Sequence, residues 1–447
     1  MGGSAFSSLP NPPYTPRMPP AIYRRVASAC QAALRELFIY VATPIEGPEK
    51  KDYGDVDILV ALERSFVFPK NHDTTQRSPH DLMRAILQRL SAEYAIVHPT
   101  GTSANLAVKW PPEELSELER AANGQQESKD KYIQVDVRIC PDPDQLCWTL
   151  FKHAHGDLWN LLGSTIRPFG LTVDEEALWI RIPEIERIDR KKAKVRLTRD
   201  PVEVLHFLGM KVEGFWTEPF ESVDALFEYV TTCRLFWVHD VPPKGELEGD
   251  VNEVGVMGGE AGRRRLGSND RRRMKGRPVF RRWINEFIPR LRAQGKFMLT
   301  DSEISVHHIR ETVRDEAFAS FHVEAEYKTR LKEWRLKREA EEMKGLLKEL
   351  TPATLDPQIR ACVVSALKKV VMEDDHSFGV TPSDPLKDDE GFYKIAAVYD
   401  FVRDNWEQIR DVAWERQKQR AREAAVRRAA SKVNEAGESN GEEAKAG

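Results

Sequence analysis

A chain of 447 residues with 41% apolar side chains is long enough for two or three domains with substantial cores, and its mean hydropathy of -0.52 suits a soluble intracellular protein. No apolar run reaches the length needed to span a bilayer, and the five cysteines are odd in number and widely scattered, which points to a reducing compartment and away from a zinc cluster. The net charge of -4 hides a strong internal asymmetry, an arginine-rich stretch that follows an acidic one.

Residues 1–20 are rich in Pro, Ser and Gly and lack a basic segment followed by an apolar core, so they do not form a secretory signal. Phe6 stands where N-myristoylation requires Ser or Thr, and the segment reads as a disordered lead-in. Residues 21–38 place Ile22, Val26, Ala29, Ala33 and Leu37 at helical spacing. An apolar run, Leu37 to Val41, leads to the turn Ala42-Thr43 and then to a loop over 44–52 that carries Lys50 and Lys51. Those lysines either meet phosphates or are solvated loop charges.

The next stretch, Gly54-Asp55-Val56-Asp57-Ile58-Leu59-Val60, holds the most chemistry. In a strand, residues two apart face the same side, so Asp55 and Asp57 project together while Val56, Ile58 and Val60 face a core. Two ionised carboxylates that close repel each other, and a hard divalent cation such as Mg²⁺ or Mn²⁺ relieves the repulsion. Gly54 permits a close backbone approach just before the pair. A helix is predicted over 81–93, a strand over 95–108 and a polar excursion over 111–130. Residues 132–139 form a further strand in which Asp136 alternates with Val135 and Val137, and a carboxylate among buried neighbours calls for a cationic partner. The pattern points to phosphoryl or nucleotidyl transfer.

These residues resemble the nucleotidyltransferase superfamily of DNA polymerase beta and the poly(A) polymerases: a helix, a small-residue turn, a strand bearing Asp-x-Asp, and a third Asp on a later strand. The resemblance implies an α+β fold, a nucleotidyltransferase-like mixed β-sheet head with flanking helices, followed by a mostly α-helical C-terminal region. It implies Asp55, Asp57 and Asp136 as metal ligands and catalytic carboxylates, a nucleoside triphosphate as substrate, and Thr43 and Gly54 beside the phosphates. The family's turn usually reads Gly-Gly or Gly-Ser, whereas this chain has Ala42-Thr43 there. The phrase running from Phe151 to Asn160 adds a wider resemblance to a fungal type of protein that joins such a head to a long helical tail.

Beyond the third strand, residues 144–162 read as one helix. His153 and His155 are either ordinary surface and capping residues or metal ligands, although i and i+2 do not face one another on a helix. Gly163 to Arg167 is either a helix stop capped by Gly163 or a group of small hydroxyls and an arginine that reaches a nucleotide. Cys140 and Cys147 read as small buried hydrophobes. Residues 171–182 and 194–197 predict a hairpin, and Asp200-Pro201-Val202-Glu203 starts a helix with an Asp N-cap. A further helix is expected over 218–236.

The arginine-rich run from Arg263 to Arg282 contains Asp270 as its sole acid and follows an acidic, Gly-rich segment. It supplies phosphate contacts to RNA, an import signal, or a solvated linker pairing locally. Helices follow over 280–291, 324–350 and 392–432, the last turning Arg- and Ala-rich beyond Trp414. The organisation expected is thus a disordered 1–20, a catalytic head 21–170, an accessory part 171–243, a linker 244–276, a helical domain 277–432 and a disordered tail 433–447. The function expected is metal-dependent transfer of a nucleoside monophosphate to an acceptor hydroxyl, in the cytoplasm or nucleus. The alternative is a catalytically inactive nucleotidyltransferase-like binding or scaffold protein.

Overall fold

In the computed structural model, which describes residues 3–69, 77–111, 130–238, 268–298 and 306–443, alternation of apolar and polar residues builds a five-stranded sheet of order β1-β2-β5-β4-β3. Its strands are β1 (Phe38–Ala42), β2 (Asp55–Glu63), β3 (Tyr94–Val97), β4 (Ser103–Lys109) and β5 (Tyr132–Ile139). β2 and β5 are parallel and every other neighbouring pair is antiparallel. The register sets Asp57 opposite Asp136, and Asp136 opposite Asn105.

One face carries Val56, Ile58, Val60, Leu106, Val135 and Val137, all buried against helices α1 (Pro20–Leu34) and α2 (Pro79–Arg89). Pro20 opens α1 at a position where its missing N–H costs nothing, and Ser78 caps α2 by accepting the Asp81 N–H at 3.2 Å. On the opposite face, Leu59 and Ala61 are covered by Leu146 of α3 (Pro143–His153), which leaves the Asp55 and Asp57 end of that face open. The class is therefore mixed α+β, with a largely helical C-terminal region.

Several local expectations need correction. The residues over 95–108 form two strands, β3 and β4, because Gly101 adopts φ +69° and turns the chain back on itself. The helix expected over 144–162 is broken: α3 ends at His153 and α4 (Leu158–Ile166) starts after a turn in which His155 and Gly156 have φ +58° and +66°. Residues 171–182 are themselves a hairpin, β6 (Leu171–Val173) and β7 (Leu178–Arg181), extended by β8 (Lys194–Thr198) into a three-stranded sheet. Asp200 caps the next helix as expected, accepting the Val202 N–H at 2.7 Å.

The disordered lead-in is also overturned. Phe6 is buried against Ala107 and Tyr132, Met18 exchanges backbone hydrogen bonds with Tyr53, and the Tyr132 N–H donates to Tyr14 O at 2.9 Å. Residues 3–18 therefore belong to the folded body.

Two compact units divide the chain, Met1–Ala325 and Glu326–Gly447. The boundary lies well beyond the expected start of the helical domain at 277, since residues 268–298 are tied into the first unit. Asp270 is buried there and accepts from Arg167 at 3.1 Å and from Arg273. Arg277 bonds Asp157, and Trp283 packs on Phe227 and Phe236. Asp270→Ala should strand Arg167 and Arg273 and cost about 2 kcal/mol, the usual loss for charged hydrogen bonds. Faster tryptic cleavage within 268–282, with the rest of the unit still resistant, checks this.

The second unit buries Met343, Leu347, Val363, Leu367, Val370, Val398, Val402 and Ile409 among three helices, Glu324–Leu350, Pro357–Glu373 and Ile395–Glu443. The last is helical to Glu443, where sequence composition predicts a disordered tail from 433. Its residues 419–428 are exposed, as expected beyond Trp414. No helix among the described residues is long and apolar enough to cross a membrane.

Candidate active site

The open face of the sheet brings Asp55, Asp57 and Asp136 together. Asp55 and Asp57 alternate with core residues on β2, and the parallel β2–β5 register sets Gln134 beside Asp55 and Asp136 beside Asp57. Asp57, Asp136, Asn105, Arg138 and His153 line a cleft of about 330 Å³, whose rim includes Pro44 from the loop after β1.

Asp136 is held by two amides. Asn105 Nδ2 donates to its Oδ1 at 2.7 Å and Gln134 Nε2 donates to the same oxygen at 2.9 Å. Burial raises the Asp136 carboxyl above the ordinary range, against the pull of those two hydrogen bonds. Asp57 is pushed up to about 6, chiefly by burial and then by the charges of Asp55 and Asp136, while His153 draws it down. Repulsion among these carboxylates is thus built into the fold. Glu46 adds a further carboxylate near Asp57 and is bonded by the hydroxyl of Tyr23 and by Lys50. Tyr23 stacks on Tyr53 with ring centroids 3.9 Å apart, so the loop between β1 and β2 is pinned to α1.

The donor set suits a hard divalent cation: carboxylate oxygens under mutual repulsion, joined by neutral amides. Among the described residues, however, no group of three or more His, Cys, Asp or Glu side chains is already arranged to hold a metal ion. The three carboxylates share a face, and Asp57 and Asp136 line the cleft, without converging on one point.

Two residues expected at the phosphates are engaged elsewhere. The Thr43 hydroxyl accepts from Gln31 Nε2 of α1 at 2.6 Å. Gly54 packs against Gly3, where φ is +85° and an added Cβ would come within 2.5 Å of the Gly54 carbonyl oxygen. The close approach that Gly54 permits is thus made by the chain's own N-terminal segment. Lys50 is paired with Glu46, and Lys51 is exposed.

Other candidates separate in the same way. His153 faces the cleft, whereas His155 is buried among Phe215 and Phe220, with Nε2 2.9 Å from Phe215 O, so the two histidines share no ligand. Gly163 does not stop its helix, which runs on to Ile166; Ser164 and Thr165 donate to Leu161 O, Arg167 reaches Asp270, and the 3-10 turn that follows ends at Gly170 with φ +84°. Cys140 is buried as expected, but Cys147 is exposed. Within the arginine cluster, Arg273, Arg277 and Arg282 bond Asp270, Asp157 and Asp224, while Arg263, Arg264 and Arg265 lie outside the described residues.

Asn105 and Gln134 are site residues that sequence reasoning overlooked. Each is a lone amide on the outward phase of an alternating strand, the same signal that marked Asp136. No protein-family model matches the chain, and no curated protein sequence matches it.

Proposed function

We propose that the protein is a metal-dependent nucleotidyltransferase of the DNA polymerase beta and poly(A) polymerase type, transferring a nucleoside monophosphate from a triphosphate to an acceptor hydroxyl. The observation that carries this reading is the row Asp57, Asp136, Asn105 across β2, β5 and β4, with Asp55 on the same face and Asp57 pushed up to about 6. A fold that keeps like charges side by side at a cost has a use for them when they are neutralised.

Mg²⁺ or Mn²⁺ would be held by Asp55 and Asp57, with Asp136 beside them, and would supply the charge neutralisation that a triphosphate requires. The chain's own groups do the rest. Asn105 and Gln134 grip Oδ1 of Asp136 and fix its orientation. Asp136, raised by burial, accepts the proton of the acceptor hydroxyl at Oδ2 as the new oxygen–phosphorus bond forms. The bond from the α-phosphorus to the bridging oxygen breaks, and pyrophosphate leaves with that electron pair. Catalysis on this reading is mostly positioning and electrostatics.

The test is transfer of label from each of the four α-labelled NTPs, with Mg²⁺ or Mn²⁺ and a cell extract as the source of acceptors. Label is expected to reach an acceptor with the wild type and not with an Asp55→Asn, Asp57→Asn double variant. A second reading, a catalytically inactive binding or scaffold protein, draws support from Thr43 being bonded to Gln31 and Gly54 being covered by Gly3. Calorimetric titration with Mg-ATP and Mg-CTP separates the two, because the scaffold binds neither.

A further inference from the structure

Beyond the aspartates, the cleft meets a group of basic side chains. Arg138 follows Asp136 by two residues on β5, so it projects from the same sheet face, roughly 7 Å further along. His153 closes α3 and lines the same cleft, and Lys152 precedes it. All three turn toward one carboxylate, that of Glu175 in the turn between β6 and β7. Lys152 is bonded to it, His153 Nε2 lies 3.6 Å away, and Arg138 Nη1 lies 3.9 Å away, beyond hydrogen-bonding distance.

The turn that delivers Glu175 is firmly built. Oδ1 of Asp174 accepts from the Glu176 N–H at 2.9 Å and from Trp179 Nε1 at 2.7 Å, its Oδ2 accepts from Lys194 Nζ at 2.6 Å, and Trp148 Nε1 donates to its carbonyl at 3.1 Å. The imidazole of His153 beside it and the bonded ammonium of Lys152 hold the Glu175 carboxyl down at about 2, so it is an anion at any working pH. Even so, one carboxylate faces two permanent cations and an imidazole. Around Glu175 one positive charge is thus left over, on the same sheet face as the three aspartates.

We propose that Arg138, Lys152 and His153 form a phosphate-binding subsite of the cleft, and that Glu175 is the internal anion holding these side chains in place when no phosphate is bound. A guanidinium beyond bonding distance of its carboxylate has its planar fork of donors ready for a phosphate, the geometry it suits best. The wall as a whole matches an oligophosphate with a cation at one end: carboxylates meet the cation, and Arg138, Lys152 and His153 meet bare phosphate oxygens. The subsite also answers a need left by Thr43 and Gly54, which are engaged by Gln31 and Gly3. It deepens the transferase reading and rests on it for the identity of the ligand.

Binding of inorganic tripolyphosphate in EDTA, followed by calorimetry on the full chain, tests the subsite without metal or turnover. The wild type is expected to bind. Arg138→Gln and Lys152→Gln should each weaken binding at least tenfold, with unchanged circular dichroism and melting temperature, and Glu175→Gln should tighten it severalfold by removing the internal competitor. The Asp55→Asn, Asp57→Asn variant should still bind, which keeps failure of transfer distinct from failure of the subsite. Displacement by ATP marks the nucleotide's own phosphates as the occupant, and displacement only by a 5′-phosphorylated oligoribonucleotide marks a phosphate of the acceptor. No tripolyphosphate binding by the wild type, or undiminished binding by Arg138→Gln, would overturn the assignment.

Discussion

Asp57→Asn is expected to abolish nucleotide transfer and at the same time to make the protein slightly more stable. Loss of a ligand that anchors several kcal/mol of transition-state charge stabilisation should lower turnover by roughly 10³-fold or more. The gain in stability comes from the opposite side of the same chemistry. Asp57 is pushed up to about 6 by burial and by Asp55 and Asp136. Between the unfolded carboxylate's ordinary range near 4 and this value, the native state binds more protons than the unfolded one, so stability falls as pH rises across that window and levels off above it. Because Asp57 opens on the cleft, water screens part of the penalty, and the gain at pH 7.5 should be about 1 kcal/mol. Thermal melts at pH 4.5 and pH 7.5 measure it: the difference between the two should be smaller in the variant. A variant that is less stable than the wild type at pH 7.5 would mean that Asp57 is not held under repulsion.

Phe6→Ala is expected to be among the costliest single changes in the first unit, although its position lies in a stretch that composition marks as disordered. The ring is 1% exposed and packs on Ala107 and Tyr132. Truncating a fully buried Phe removes its transfer free energy and leaves a cavity, for a loss of about 3–5 kcal/mol. The melting temperature of the unit should fall by roughly 5–10 °C. The substitution should also reach the site. The Ala5 N–H donates to Gln134 Oε1 at 3.1 Å, and Gln134 Nε2 donates to Asp136. Loosening the segment frees the amide that orients Asp136, so transfer should drop severalfold more in this variant than in Leu9→Ala, which trims only the edge of the same cluster.

The aspartates were legible because strand alternation is a local code: Asp55, Asp57 and Asp136 each interrupt an apolar run on its outward phase. Asn105 and Gln134 carry the same signal, but a neutral amide on an outward phase is indistinguishable from ordinary surface until register shows that it faces a carboxylate. The break between α3 and α4 was hidden for another reason. Gly156 at φ +66° is its local sign, but the turn also needs His155 at φ +58°, which the sequence does not announce and which the aromatic cluster of Phe215 and Phe220 holds in place. The partner of the arginine cluster stayed open in the sequence because, apart from Asp270 within the run, its acids lie far away along the chain; Arg277 finds Asp157 across 120 positions. Phe6 and Met18 are single apolar residues in a Pro- and Gly-rich segment, and only the sheet they pack on makes them core.

The contact between Gly3 and Gly54 also decides how the protein is best handled at the bench. Gly3 lies against the residue that precedes Asp55, at a spot with no room for a Cβ, so a bulky group joined close to Gly3 starts beside the carboxylates. An affinity tag at that end would crowd the carboxylates and imitate a defect in binding. The far end of the chain is the better place, since residues 419–428 of the last helix are exposed and lie in the unit that does not contain the sheet.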